Sequence, residues 1–478
     1  INVFLSNIPS ATVESEEQRD RFTAEAHVLR AYFYLQLIKW YGNLPVLTEP
    51  IPVDYDYSKL RKNSFEECAR QIVADCDAAI ASNNLPWRIT SEVEIRRMTK
   101  AIACAIRSEA SLWAASPRFN DGKDLWEWAY QVNKESLDML LSHGYELYTH
   151  INNPSLYKTA YEEYFIETAD LRENPRDKET IWQGHQKTAS HFVIRGLPVQ
   201  GGGYMAGAVP TQELVDAYDM LATGKPVLNL AKPYNDETKL QPNYNPGSGY
   251  DPQNPYEGRD PRFYASIHFN GSTVLVNGTP IKVETFVGGN CGISNDRSHT
   301  RTGYYNRKYM HPEAGQLRPQ DDGLWKHYRL GAVYLNAAEA AAQTGRTEEA
   351  MKYVNTIRHR AGFSPSVDIK ANSKEEAVLY VRHERQVELC YEEYRYFDTR
   401  RWCKPDEDNT CEKFSTGMRI TRNGDNTFSY QRVLVGTLST ETPSKMSYEK
   451  KYHLLPIPLD EVSKLESQTG ISWQNTGW

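Results

Sequence analysis

The sequence predicts a mainly α fold in which tetratricopeptide-like helix pairs form a scaffold interrupted by a large, loop-rich, ligand-binding insertion. Three features predict it. Apolar and small residues recur at helical spacing near both ends of the chain, alanines crowd those segments, and Gly, Pro, Asn and Tyr dominate the middle. Residues three and four apart share one face of a helix, so the first pattern marks faces that pack. Small residues let two helices approach closely, and a short turn between them makes a hairpin repeat.

Over 19–42, Phe22, Ala26, Leu29, Phe33, Leu37 and Trp40 fall on one expected buried face, and Gly42, Pro45 and Pro50 end the helix. A second helix is expected over 64–83, with Ser64 as N-cap and Phe65, Cys68, Ile72, Cys76 and Ala79 facing inward. An alanine-rich helix over 96–115 and its partner over 124–143 follow, separated by Ser116-Pro117 and Asn120-Asp121-Gly122. The pattern returns at 328–344, with Ala337, Ala338, Ala341 and Ala342, then a Thr344-Gly345-Arg346 turn and a helix over 347–361. A last helix is expected at 373–396. The whole, 1–478, reads as one domain: helical scaffold at 15–145 and 325–402, loop-rich binding region at 146–324 with β-like runs at 263–269 and 273–286, and a mixed C-terminal tail at 403–478.

Composition excludes several functions. A net charge of −7 without clustered Lys and Arg argues against nucleic acid as a partner. No stretch approaches the roughly 20 apolar residues of a membrane span. The first residue is Ile1, with no initiator Met or apolar leader, so a processed or trimmed chain is expected. The seven cysteines include no CxxC and are expected mostly as small buried hydrophobes; a Cys403–Cys411 pair stays open.

Motifs for catalysis are missing. There is no HExxH and no GxSxG, and Gly201-Gly202-Gly203 lacks the Lys a phosphate loop needs. His311 and His327 read as ordinary histidines rather than metal ligands. Asp251, Asn254 and Asp260 supply oxygens at a spacing that fits no EF-hand, so no metal or cofactor is assigned. A glycosidase needs two carboxylates facing one bond. Glu162-Glu163 and Glu392-Glu393 are adjacent, and adjacent helical side chains diverge by about 100°.

The aromatic content points to binding. Aromatics reach 12%, and the segment 234–256 sets tyrosines among Asn, Asp, Gln and Gly. Flat rings suit the CH faces of sugars, and amides and carboxylates suit their hydroxyls. The expected ligand-binding residues are Tyr204, Tyr234, Tyr244, Tyr250, Asn254 and Tyr256.

The run ERQVELCYEEYRYFDTRRW, 384–402, resembles the signature of the SusD/RagB family of bacterial surface nutrient-binding lipoproteins. LLPIPLDEV (454–462) and QNTGW (474–478) are similar to that family's ending. AEAHVLRAYFYLQLIKWYGNLPVL (24–47), PTQELVDAYDM (210–220), NPYEGRDPRFYASI (254–267) and RLGAVYLNAAEAAAQTG (329–345) resemble its earlier blocks, in order. Glu393 stands where the family usually has Gly, and Thr476 where it has Pro. The family's signal peptide, lipidated Cys and first helical stretch have no counterpart here. The resemblance implies a rigid helical frame that also faces a partner, glycan capture without catalysis, lipid anchoring at the outer membrane, and a lid role on a SusC-type TonB-dependent transporter. Peptide capture on the same architecture is the main alternative; a protein-binding repeat scaffold or a glycosidase is the lesser one. Within 384–402, ion pairs at i,i+3, Arg385 with Glu388 and Glu392 with Arg395, are expected to offset the repulsion of Glu384, Glu388 and Glu392. Asp398 with Arg400 and Arg401 is expected to fasten the helix end.

Overall fold

The computed structural model describes the chain apart from 92, 167–175, 185–195, 201–205, 295, 313–323, 406, 408–412 and 437–448. Tyr204 and Cys411 therefore lie outside the described residues, and with Cys411 the question of its pairing with Cys403.

A short α1 (Asn2–Asn7) precedes α2 (Glu16–Tyr41), whose first turn is capped by Ser15 accepting from the Gln18 amide. It stops at Gly42, where φ is 76°, a conformation open to glycine at no steric cost. Ser64 and Glu67 form a reciprocal capping box at the start of α3 (Phe65–Ala81). Thr99 caps α4 (Lys100–Ala115), and α5 (Trp126–Ser142) follows. These helices stack in order, each on the next. The small side chains of α4 let neighbours close on every side, so Ala101 through Ala115 are all buried.

The buried stripe of α2 differs from the expected one. Ala24, Val28, Ala31, Leu35 and Ile38 face the core, whereas Phe33 and Leu37 are 53% and 44% exposed. Both stripes are apolar; the one that meets α3 and α4 is buried.

The insertion opens with α6 (Ala160–Ile166) and β1 (Thr180–Gln183), and passes through α7 (Gln212–Ala217) and α8 (Pro261–Ser266). Asp260 accepts from the Arg262 amide and Pro261 sits in the first turn, so 261–266 is helical where a β-like run was expected. Only Ile267–His268, β2, is extended, pairing with β5 (Tyr305–Asn306). Between them β3 (Thr273–Val276) and β4 (Thr279–Lys282) form a hairpin. Its corner is Asn277-Gly278, with φ of 52° and 79°, the left-handed geometry such tight turns require.

The chain returns through β6 (Lys326–Arg329), antiparallel to β1, into α9 (Leu330–Gln343) and α10 (Thr347–Ala361). Helix α9 packs on α5, so the late helices rejoin the early stack around one shared core. Helices α11 (Lys374–Glu388) and α12 (Tyr394–Arg401) replace the single helix expected at 373–396. Tyr391 and Glu393 lie at φ 59° and 68° and turn the chain between them. A hairpin of β7 (Thr416–Arg422) and β8 (Phe428–Leu434) and then α13 (Leu459–Thr469) complete the described elements. Among the described residues no helix is long and apolar enough to cross a membrane.

The acidic residues of the 384–402 segment are buried and paired across the fold rather than along the helix. Glu388 meets Arg262 and Arg329, each at 2.8 Å, and Arg360 as well. Glu392 meets Lys308 at 2.7 Å and Arg329 at 2.6 Å. Glu384 is held by Arg262. Arg385, on another face of α11, turns instead to Asp398 at 2.8 Å. The expected i,i+3 pairing of Arg385 with Glu388 is thereby replaced, because Arg262 and Lys308 of the insertion, Arg329 at the end of β6 and Arg360 of α10 present cations to the inward face. Asp398 also takes Arg401 at 2.8 Å, while Arg400 donates to the Tyr396 carbonyl.

Candidate functional site

Four of the expected tyrosines lie in the descending loops after α7. The stretch 227–245 folds back on itself through bridges that pair Leu228 with Tyr244 and Tyr234 with Pro242. Met220, Val227 and Leu228 form a small apolar cluster, and Tyr234, Tyr244 and Tyr250 lie over it. The Tyr244 and Tyr250 ring centroids are 5.3 Å apart, and the Arg259 guanidinium stands 5.3 Å from the Tyr250 ring. Tyr256 is 7% exposed and packs with Phe263, Phe269 and Tyr430. Asn254 is exposed and donates to Asp251 at 2.7 Å.

Of this group Tyr234 borders a cleft of 490 Å³ between the 213–239 segment and α11. The size is within the range of small-molecule sites, about 300–1,000 Å³. Leu379, Arg382, His383 and Gln386 supply one wall; their spacing places them on a single face of α11. Trp402, Arg395 and Lys413 border it from beyond that helix, and Leu228, Leu230, Pro233, Glu237 and Lys239 from the loop.

Side chains around the cleft are held in place. The Tyr234 hydroxyl donates to Asp216 at 2.9 Å, and the same carboxylate accepts from Arg432 at 2.6 Å and Gln212 at 2.8 Å. Burial pushes the Tyr234 hydroxyl well above its ordinary 10.0, so it remains a donor. Arg382 lies 4.6 Å over the Trp402 ring, whose Nε1 donates to Glu339 at 2.6 Å. Burial lowers the Arg382 pKa, and its Nε is buried with no hydrogen-bond partner among the described residues. His383 is fixed by Asp219 at 2.7 Å.

The result is a mainly apolar slot with polar groups set into its walls. Leucine, proline and tyrosine surfaces lie among guanidinium, amide, ammonium and carboxylate groups, an arrangement that accepts a ring with CH faces and hydroxyl edges. Among the described residues no group of three His, Cys, Asp or Glu is placed to hold a metal ion. Arg382, Gln386 and Trp402 were missed as site residues in the sequence because they lie in the signature region or just before it, where every charge has a structural use to offer. Their signal was positional: Arg382 and Gln386 are three and seven residues from Leu379, on one helix face with it, and Trp402 directly follows Arg401.

Comparison with known proteins agrees with this architecture. The model of the SusD family matches residues 166–478, and one described as starch-binding, associating with outer membrane, matches residues 1–112. No curated protein matches the chain. Among solved structures, a SusD-like protein from Bacteroides fragilis aligns at 25% identity and a TM-score of 0.74, over 100% of this chain and 83% of that one. A SusD-like carbohydrate-binding protein from the same species aligns at 20% identity and a TM-score of 0.64, over 97% and 82%. Surface glycan-binding protein A from Bacteroides uniformis aligns at 16% and 0.55, over 97% and 80%. With the family match spanning more than half of its length and the helical stack in common, the chain belongs to the SusD family.

Proposed function

We propose that this protein captures glycans at the outer membrane for uptake, without making or breaking a bond. The observation that carries the proposal is the amphipathic 490 Å³ cleft, where Tyr234 and Leu228 face Arg382 and Gln386. A sugar ring would lie against the Tyr234 and leucine surfaces and spend its hydroxyls on Arg382 and Gln386. Tyr244 and Tyr250 back that wall, Tyr256 belongs to the neighbouring core cluster, and Asn254 lies exposed on the loop between Tyr250 and Tyr256. The names of the structural relatives support glycan rather than peptide as ligand.

A transporter partner and a lipid anchor belong to the same proposal. Phe33, Leu37 and Trp40 recur along one face of α2, and the Trp40 ring lies 5.7 Å from that of Tyr396, itself 41% exposed. An exposed apolar strip of this kind on a rigid frame fits a macromolecular partner, here a SusC-type barrel.

Affinity electrophoresis through gels containing a panel of neutral and acidic polysaccharides tests the function. Retardation by at least one polysaccharide, with no reducing sugar released, is expected. Released sugar sinks the non-catalytic reading, and binding to oligopeptides alone transfers the function to peptide capture.

A further inference from the structure

A separate pocket of 330 Å³ opens between Pro198–Gln200, the corner of β2 and β3, and residues 307–312. It shares no residue with the cleft at α11. Tyr264 and Phe269 form an aromatic wall, their ring centroids 5.9 Å apart and inclined at 59°. His268, 4% exposed, is set in the same lining by β2, and its Nδ1 is buried with no hydrogen-bond partner among the described residues. Buried polar atoms are almost always paired, so an unpaired ring nitrogen on a residue that lines a pocket marks a place for a ligand group. Burial, with Arg307 adding to it, holds the His268 pKa well below 6.5. The ring is therefore neutral and serves as a hydrogen-bonding group rather than a charge.

The charge that the described residues bring to the lining has one sign. Among the described residues Lys158 and Arg307 border the pocket and no Asp or Glu does. Glu162 stands behind them with both oxygens in use, one on the Arg307 guanidinium and one on the Lys158 amide. The Lys158 side chain is exposed and forms no ion pair among the described residues. A cation at the mouth, an aromatic wall and a neutral imidazole inside together select a ring that carries both hydroxyls and a carboxylate.

We propose that this pocket is a second saccharide subsite that takes an acidic sugar, a hexuronate ring lying along Tyr264 and Phe269 with its carboxylate at Lys158 and a hydroxyl at His268. The proposal rests on glycan capture as the function and narrows the glycan to a uronate-containing chain.

Titration calorimetry of the full chain tests it, with galacturonate, glucuronate and mannuronate oligosaccharides beside their methyl esters and neutral counterparts. At least one free acid is expected to bind about tenfold more tightly than its ester, a preference that weakens with added salt. Lys158→Ala is expected to abolish that preference while leaving the melting temperature in place. His268→Phe, which keeps a ring but removes Nδ1, is expected to weaken the acid about tenfold at unchanged melting temperature. Equal affinity for acid and ester, or an unaltered acid preference in Lys158→Ala, overturns the proposal. Binding of neutral polysaccharide alone overturns it too and leaves glycan capture standing; no binding across the whole panel overturns both.

Discussion

Arg329 forks onto both oxygens of Glu392, Nε to Oε2 at 2.6 Å and Nη2 to Oε1 at 2.8 Å. Its remaining nitrogen bridges Glu179 and Glu388 at 2.9 and 2.8 Å, so one guanidinium ties the start of β1, the end of α11 and the turn before α12. All four residues are buried, and each charge depends on the others for solvation. Removing one partner from a buried pair leaves an uncompensated charge, at a cost of about 3–5 kcal/mol. Glu392→Ala, which strands Arg329 and Lys308, is expected to lose about that much in urea unfolding. Arg329→Met is expected to cost a similar amount, and the double variant clearly less than the sum, since both changes act on one network.

The same network sets an acid limit on stability. Burial works against ionisation of Glu388, but Arg360, Arg329 and Arg262 outweigh it and hold its pKa at about 2, against an ordinary 4.5. Asp219 is likewise buried, and His383 and Arg358 hold it at about 2, against 3.8. Both carboxyls are lower folded than unfolded, so the unfolded chain binds more protons in this range. Their stabilisation is complete above about pH 5, and falls as pH drops through 4.5 toward 2. Urea midpoints measured from pH 7 down to pH 3 are expected to stay level at first and then decline. In Glu388→Gln the decline below pH 5 is expected to be shallower, from a lower starting value.

Glu393 occupies a left-handed position, φ 68°, immediately before α12. L residues with a Cβ are strained there by about 1–2 kcal/mol, while glycine carries an extra unfolded-state entropy of about 0.5–1 kcal/mol. Glu393→Gly is therefore expected to stabilise the protein slightly, by up to about 1 kcal/mol, read as a small rise in melting temperature. A clear fall would mean that the exposed Glu393 side chain makes a contribution of its own.

Helix boundaries were legible in the sequence because their causes are local. Ser64 and Glu67 cap α3 from three residues apart, and the Thr344-Gly345-Arg346 turn separates α9 from α10 within a few residues. Which face of α2 is buried was not legible: Val28 and Leu35 are no more apolar than Phe33 and Leu37, and only the arrival of α3 and α4 distinguishes them. The partners of Glu388 were hidden for a related reason. Arg262 and Arg329 lie 126 and 59 residues away, beyond any spacing rule, so nearby charges offered a pairing that the fold does not use. Tyr234 stood out as an aromatic in a polar loop, but the opposite wall of its cleft comes from α11.

That geometry separates two roles within Tyr234. Its hydroxyl is engaged by the buried Asp216, which also anchors Arg432, so the ring surface is what remains for a ligand. Tyr234→Phe keeps the ring and is expected to retain glycan affinity within about twofold, with some loss of thermal stability from the unpaired Asp216 acceptor. Tyr234→Ala removes the ring and is expected to weaken binding about tenfold, near 1.4 kcal/mol. Arg382→Met keeps the packing over Trp402 but removes the Nε that has no partner among the described residues. It is expected to weaken binding by a similar factor while the melting temperature holds, because no hydrogen bond from that Nε is lost. Affinity electrophoresis on whichever polysaccharide retards the parent protein, paired with thermal melts, reads both quantities. If Arg382→Met and Tyr234→Ala migrate as the parent does, the glycan is held elsewhere on the loop face.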